Sequence, residues 1–268
     1  MSERITSLQN ARVKAIRALE MRKARRETGL FVAEGASVLI SAKDAGWALD
    51  TLVYLGGSEG EGVMEELIRW AAVSDATRLS VNSAVLGKLA AKDNPQSVLG
   101  VFKQRWADLP DPASVRRDET WLVLEEVRDP GNLGTIIRTS DAVGVSGVIL
   151  VDRCCDPYSR EALRATMGSV FAVPLVRTSR DAFVSWRSAW AGDVVGLHLD
   201  GARDFREVEY AGPQLIVMGS EGPGLSDFMS QACSVRVRIP MSGTLDSLNL
   251  AVATALTLYQ VRGPTLTV

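Results

Sequence analysis

The sequence predicts an α/β protein in two parts: a small α/β domain, then a larger one built on a mostly parallel sheet. Three observations point that way. At 268 residues the chain suits two domains that can each bury a core. Short apolar strand patterns alternate with helical ones through both halves. A polar stretch containing Pro110 and Pro112 interrupts that alternation and reads as a linker. The expected division is residues 1–106, linker 107–118, and 119–268.

In the first domain, Ser7 is placed to N-cap a helix ending near Gly29, with Val13, Ile16 and Leu19 along one side. A strand at 30–33 leads into a helix from Gly35 towards Gly46, then a strand at 51–55 and a helix at 65–72. A strand near Leu79, a helix after Asn82 and a strand at 98–103 complete it. In the second domain, strands are expected at 121–127, 148–151, 170–176, 194–197, 215–218 and 235–239. Helical patterns between them imply a sheet covered on both faces. The last helix, 247–262, is apolar nearly all round, with Leu248, Val252, Leu256 and Tyr259 among its residues. A helix without a polar face must be covered everywhere, by its own core or by another subunit.

Composition narrows the function. With 46% hydrophobic and 23% charged residues, the chain is ordinary for a soluble globular protein. Its apolar stretches are too short to span a bilayer, and Met1-Ser2-Glu3-Arg4 leads into no signal-like run. Cys154, Cys155 and Cys233 are odd in number and two are adjacent, so a reducing, cytoplasmic setting without a disulfide framework is expected. The single histidine, His198, makes no zinc spacing with them, and no metal is expected. The net charge of −2 argues against indiscriminate nucleic-acid binding. Yet Arg4, Arg12, Lys14, Arg17, Arg22, Lys23, Arg25 and Arg26 face only Glu3 and Glu20 over the first 26 residues. That excess reads either as a solvated helix face or as a phosphate-binding one.

Three segments carry the chemistry. Asn132-Leu133-Gly134-Thr135-Ile136-Ile137-Arg138 lies at a strand-to-helix turn. Met218-Gly219-Ser220-Glu221-Gly222-Pro223-Gly224-Leu225 follows an apolar strand. Ile239-Pro240-Met241-Ser242-Gly243 runs on through Ser247-Leu248-Asn249 into the last helix. Each sits at a strand end, where open α/β sheets bind ligands. The glycines do not make the Gly-x-Gly-x-x-Gly spacing of a nucleotide-dependent oxidoreductase, and no Walker lysine or Gly-x-Ser-x-Gly elbow is present.

In order, spacing and residue type, these segments resemble the SpoU (TrmH-like) family of RNA ribose 2′-O-methyltransferases, within the SPOUT class. The resemblance implies a knotted C-terminal domain, with a trefoil knot formed by the final segment, and a homodimer built around it. It also implies transfer of a methyl group from S-adenosylmethionine to a ribose 2′-hydroxyl of structured RNA, rRNA ahead of tRNA. A non-catalytic RNA-binding protein that retains the pocket is the alternative. The matching cofactor positions are Leu197, Gly219, Ile239 and Leu248, with Met218, Gly224 and Met241 completing an apolar slot. Glycine there is expected to let backbone approach a ligand.

The matching catalytic positions are Arg138, Glu221, Ser247 and Asn249, beside Asn132, which is expected to fix its loop through side-chain hydrogen bonds to backbone. Arg138 is expected to reach the site, as general base or as a clamp on phosphate and oxyanion; a guanidinium that keeps its proton suits the second role. Glu221 is expected to orient Arg138 or accept a proton. Ser247 suits either function or N-capping of the last helix. Asn249, inside an apolar helix, is expected to be functional because a buried amide needs partners. Glu34-Gly35 and Asn94-Pro95-Gln96 make the first half similar to the family's small substrate-binding domain, a relative of ribosomal RNA-binding proteins. Its RNA contacts are expected at Arg22, Lys23, Arg25 and Arg26.

Overall fold

A computed structural model describes residues 2–60, 62–90, 97–199, 203–244 and 247–267. The chain forms two compact units: Met1–Arg105 with Tyr158–Ala172, and Trp106–Pro157 with Val173–Val268. Asn94, Pro95 and Gln96 lie outside the described residues.

The first unit runs β1 (Glu3–Ile5), α1 (Ala11–Ala18), α2 (Arg22–Thr28), β2 (Leu30–Glu34), α3 (Ala36–Asp44), β3 (Leu49–Leu55), α4 (Gly62–Val73), β4 (Thr77–Val81), α5 (Ser83–Ala90) and β5 (Val98–Lys103). The strands make a mixed sheet ordered β1-β4-β3-β5-β2. Because strand side chains alternate, its two faces carry different cores. Val13, Ile16 and Leu19 join Val85, Leu86 and Leu89 over Val53, Leu79, Leu99 and Val101, so α1 and α5 share one face. On the other face Phe102 meets Trp70 of α4 at 6.2 Å, and Gly100 lies beneath Leu39 of α3.

The single helix expected from Ser7 to Gly29 is two helices. Asn10, not Ser7, caps α1 by accepting the Arg12 N–H. The chain breaks at 19–21, and the carbonyls of Leu19 and Glu20 that the break frees each accept from Nη1 of Arg25 at 2.8 Å. Gly29 ends α2 in the left-handed conformation at φ 68°, as its type allows.

Tyr158–Ala172 completes the first unit's core with aromatic rings. Tyr158 stacks on Phe31 at 4.6 Å, and Phe171 meets Trp47 at 5.0 Å and Phe102 at 5.2 Å. Trp47 Nε1 also donates to the Phe171 carbonyl at 2.8 Å. This segment contains α7 (Arg160–Thr166). The strand expected at 170–176 is therefore a 3₁₀ turn at Ser169–Phe171 followed by a later strand, β8 (Leu175–Thr178). Its apolar run is buried by ring packing rather than by sheet pairing.

The second unit holds β6 (Thr120–Glu125), α6 (Pro130–Ala142), β7 (Gly147–Val151), β8, α8 (Arg180–Arg187), β9 (Asp193–Leu197), β10 (Arg203–Asp204), β11 (Gln214–Met218), α9 (Asp227–Ala232), β12 (Val235–Arg238) and α10 (Leu250–Arg262). Its strands pair in parallel throughout, in the order β10-β12-β9-β11-β6-β7-β8. The 107–118 stretch is packed down, not loose: Leu109 and Val115 lie against this unit's core, and Trp186 Nε1 donates to the Pro110 carbonyl at 2.7 Å. No helix among the described residues is long and apolar enough to cross a membrane.

Candidate active site

The site lies where the sheet changes direction. From β6 the chain moves outward through β7 to β8, whereas β11, β9 and β12 lie on the other side of β6. Neighbouring parallel strands whose connections diverge leave a crevice beyond their carboxyl ends. The loops after β6 and β11 meet in that crevice. Asp129 caps α6, accepting the Asn132 N–H at 2.6 Å, with Pro130 in the first turn.

Glu221, carried by the loop after β11, grips the loop after β6. Its carboxylate accepts from the backbone N–H of Arg128 at 3.1 Å, that of Asp129 at 3.4 Å, and Asn132 Nδ2 at 3.1 Å. Asn132 Oδ1 in turn accepts from Asn249 Nδ2 at 3.0 Å, and Asn249 Oδ1 accepts the Ala251 and Val252 N–H groups. Every polar atom of the two amides thus has work in one relay from α10 to Glu221. Partial burial pushes the Glu221 pKa up, but the bonds from Asn132 and from backbone N–H groups outweigh it and hold the carboxyl below its usual range.

A cavity of about 1200 Å³ opens beside this relay at the ends of β9, β11 and β12. The residues expected at the cofactor, Leu197, Met218, Gly219, Gly224, Ile239, Met241 and Leu248, all line it, together with Glu221, Ser247 and Asn249. The strand order explains the convergence, since β12, β9 and β11 are neighbours and deliver Ile239, Leu197 and Met218 from one edge. The loop itself requires glycine at 219. A Cβ there would sit 2.0 Å from the Gly224 carbonyl carbon and 2.1 Å from the Leu225 nitrogen, so the loop's own return excludes a side chain. Residues Ser220 and Gly224 close that return with paired backbone bonds of 3.1 Å.

Arg138 is placed differently from the expectation. It is exposed on α6, is absent from the cavity lining, and makes no ion pair or hydrogen bond among the described residues. Six residues of helix carry it about 9 Å along and about 240° around from Asn132, so the two side chains leave α6 in different directions. Glu221 consequently orients Asn132 and not Arg138, and a carboxylate held acidic with its oxygens occupied is a weak base. Two further corrections concern α10. The helix begins at Leu250 with Asn249 as its N-cap, so Ser247 does not cap it and Asn249 is not inside it. Capping is a structural use of Oδ1, while Nδ2 still belongs to the relay.

Arg25 is corrected as well: it is 4% exposed and spends its guanidinium on the α1–α2 break, which takes it away from any phosphate. Arg22, Lys23 and Arg26 are exposed, with Lys23 near Glu27 at 3.9 Å.

Sequence reasoning passed over the groups that fix the far end of the Glu221 loop. Glu125, at the end of β6 and 2% exposed, accepts the Ser226 hydroxyl at 2.6 Å and the Ser226 N–H at 2.8 Å. Arg180 lies 3.0 Å from that carboxylate and 3.3 Å from Asp152, neutralising the buried charge. The two loops are thus cross-tied, each held by a carboxylate from the other. Ser226-Asp227 was a legible cap signal, since Ser226 opens α9 by accepting the Met229 N–H. Nothing in the sequence pairs Glu125 with it across 101 residues. Asp204 and Glu207, also passed over, line the cavity.

Residues 119–259 match the SpoU rRNA Methylase family, and residues 10–100 match the MRM3-like substrate binding domain. The chain belongs to the SpoU methylase family. It is 33% identical to a 23S rRNA (uridine(2479)-2′-O)-methyltransferase of Streptomyces viridochromogenes, over 97% of this chain and 91% of that one. It is 27% identical to the 23S rRNA (guanosine(2553)-2′-O)-methyltransferase RlmP of Bacillus subtilis, over 97% and 100%. Among solved structures, the AdoMet-bound rRNA methyltransferase from Sinorhizobium meliloti superposes with a TM-score of 0.92 at 42% identity, covering 99% of each chain.

Proposed function

We propose that this SpoU methylase transfers a methyl group from S-adenosylmethionine to a ribose 2′-hydroxyl of rRNA, working as a cytoplasmic homodimer. The observation that carries the reading is the cavity at the ends of β9, β11 and β12, lined by the second and third motif segments and tied to the first, on α6, by the Asn249–Asn132–Glu221 relay. The residues fit the cofactor. Met218, Ile239, Met241 and Leu248 offer an apolar slot for a base, and Asp204, Glu207 and Glu221 outnumber Arg238 on the lining, which suits a cationic ligand. Bound there, S-adenosylmethionine supplies an electrophilic methyl group.

The chain's own groups then have distinct tasks. Glu221 and Asn132 hold the two loops in register, which fixes the cavity mouth before substrate arrives. Asn249 couples that arrangement to the start of α10. Arg138, with a guanidinium that stays charged, stabilises negative charge developing on the ribose oxygen and docks the neighbouring phosphate. Because it does not line the cavity of its own chain, that role needs a second copy to complete the site.

The apolar stripe of α10 supports such a copy. Val252, Leu256 and Tyr259, spaced one helical turn apart, are 48%, 44% and 53% exposed, and α10 packs against α6, the helix that carries Arg138. One face of α10 is buried, and the exposed stripe on the other is what a second copy would cover.

The direct test supplies purified protein with methyl-labelled S-adenosylmethionine and rRNA from cells lacking it, then digests the product with alkali. Label retained in alkali-resistant dinucleotides supports ribose 2′-O transfer. Label on bases, or none at all with folded protein and saturating cofactor, contradicts it.

A further inference from the structure

The first unit is electrically two-faced, and this asymmetry bears on how its substrate docks. On the face covered by α3 and α4, each helix carries one cation and both are consumed by acids. Lys43 lies 2.9 Å from Glu66 and 3.1 Å from Asp44, and Arg69 lies 2.8 Å from Glu65. On the opposite face, α1 carries Arg12, Lys14 and Arg17 and α5 carries Lys88, with no acidic residue in either helix. Of these only Arg12 is paired among the described residues, with Glu3 at 3.3 Å. Lys14, Arg17 and Lys88 are exposed and have no ion pair or side-chain hydrogen bond among the described residues; Arg26 on α2 is the same. Shared packing through Val13, Ile16, Val85 and Leu86 sets α1 beside α5, and Arg25 ties α2 to the end of α1. The unpaired cations therefore gather on one surface.

Lys14, Arg17, Lys88 and Arg26 have no ion pair among the described residues, and like charges gathered in this way repel one another and cost stability, so the arrangement is suited to an anionic partner. A membrane surface is a poor fit, because the large apolar residues of α1 and α5 are buried in the core, and among the described residues next to these helices only the isolated Leu8 and Met21 are large, apolar and exposed. RNA fits: a hydrophilic, uncompensated row of cations is what neutralises successive phosphates.

We infer that the α1–α2–α5 face of the first unit is the docking surface for the phosphate backbone of the RNA substrate, with Lys14, Arg17 and Lys88 as contacts beside Arg26. This rests on the proposed rRNA substrate and adds where the first unit meets it. Those three residues are far in sequence from the motif segments and outside the cavity, so they set affinity for RNA and leave cofactor binding alone.

The experiment compares the wild type, the triple variant Lys14→Gln/Arg17→Gln/Lys88→Gln, and the control Lys43→Gln/Arg69→Gln. Affinity for purified 23S rRNA is measured by filter binding over a series of salt concentrations. The triple variant should weaken binding and reduce the log–log salt slope by about 2–3, at roughly 0.7–0.9 for each phosphate no longer neutralised. The control should keep the wild-type slope, and all three proteins should bind S-adenosylmethionine equally. A triple variant with the wild-type slope, alongside a wild type that binds and methylates rRNA, would overturn the inference and leave the function standing. An equal loss in the control would also overturn it, since bulk charge would then explain the effect. A wild type with no affinity for rRNA would overturn both.

Discussion

Glu221→Gln isolates the tie between the two loops. The wild-type carboxylate accepts three hydrogen bonds, two of them from the backbone N–H groups of Arg128 and Asp129, which lead into α6. Glutamine keeps one acceptor oxygen and turns an NH₂ group towards donors, so at least one charge-assisted bond is lost. Such a bond is worth about 1.5–3 kcal/mol, and the partly exposed position lowers the expectation to about 1–2 kcal/mol. If that energy preorganises the cavity mouth, cofactor affinity falls by about 5- to 30-fold. Calorimetric titration with S-adenosylmethionine checks this, with circular dichroism confirming the fold. The pH sign follows from the depressed pKa of Glu221. Its contribution is complete above the ordinary carboxyl value of 4.5 and fades as pH falls through the lower folded value. The glutamine variant should therefore lose part of the wild type's acid sensitivity. Unchanged cofactor affinity in a folded variant would refute the claim that this carboxylate holds the site together.

Arg138→Ala should leave cofactor affinity unchanged and cut turnover by about 10²–10³-fold, as expected for one lost oxyanion donor; a pure rise in the RNA Michaelis constant would make it a docking residue only. Phe171→Ala should destabilise the first unit by about 3–5 kcal/mol although the residue lies beyond residue 119 in sequence, which thermal unfolding of the full chain would read. Leu256→Lys with Tyr259→Lys should convert a dimer, seen by light scattering, into monomers that no longer methylate RNA. Burial pushes the thiols of Cys154, Cys155 and Cys233 to about 11, 12 and 12, so Ellman's reagent should label native protein slowly at neutral pH and quickly once it is unfolded.

Much of the parallel sheet was legible because buried strands read as short apolar runs, as at Leu122–Leu124 or Leu215–Val217, and strand ends then located the motif loops. Where a run was apolar for another reason, the reading failed: Val170 and Phe171 look like strand residues, yet both are buried in a turn whose Phe171 serves the ring cluster around Phe31 and Trp47. The α1–α2 break was hidden because its remedy, the Arg25 guanidinium, is a tertiary contact disguised as one more surface charge. At the site, residue identities could be read but their partners could not. Arg138 was expected to reach the site, yet six residues of helix leave its side chain about 120° away from that of Asn132 around α6. Glu125 gave no signal at all, because a carboxylate ending a strand acquires meaning only from the Ser226 that the fold brings to it.

If this chain adds a methyl group to a ribose oxygen of rRNA through the cavity beside Glu221, the rRNA itself must carry the mark. Ribose methylation should be mapped across the rRNA of cells with and without the protein, with the deletion complemented by wild type or by Arg138→Ala. One or a few 2′-O-methyl positions should vanish on deletion, return with the wild type and not return with the arginine variant. An rRNA methylation pattern identical in the presence and absence of the protein would contradict that function.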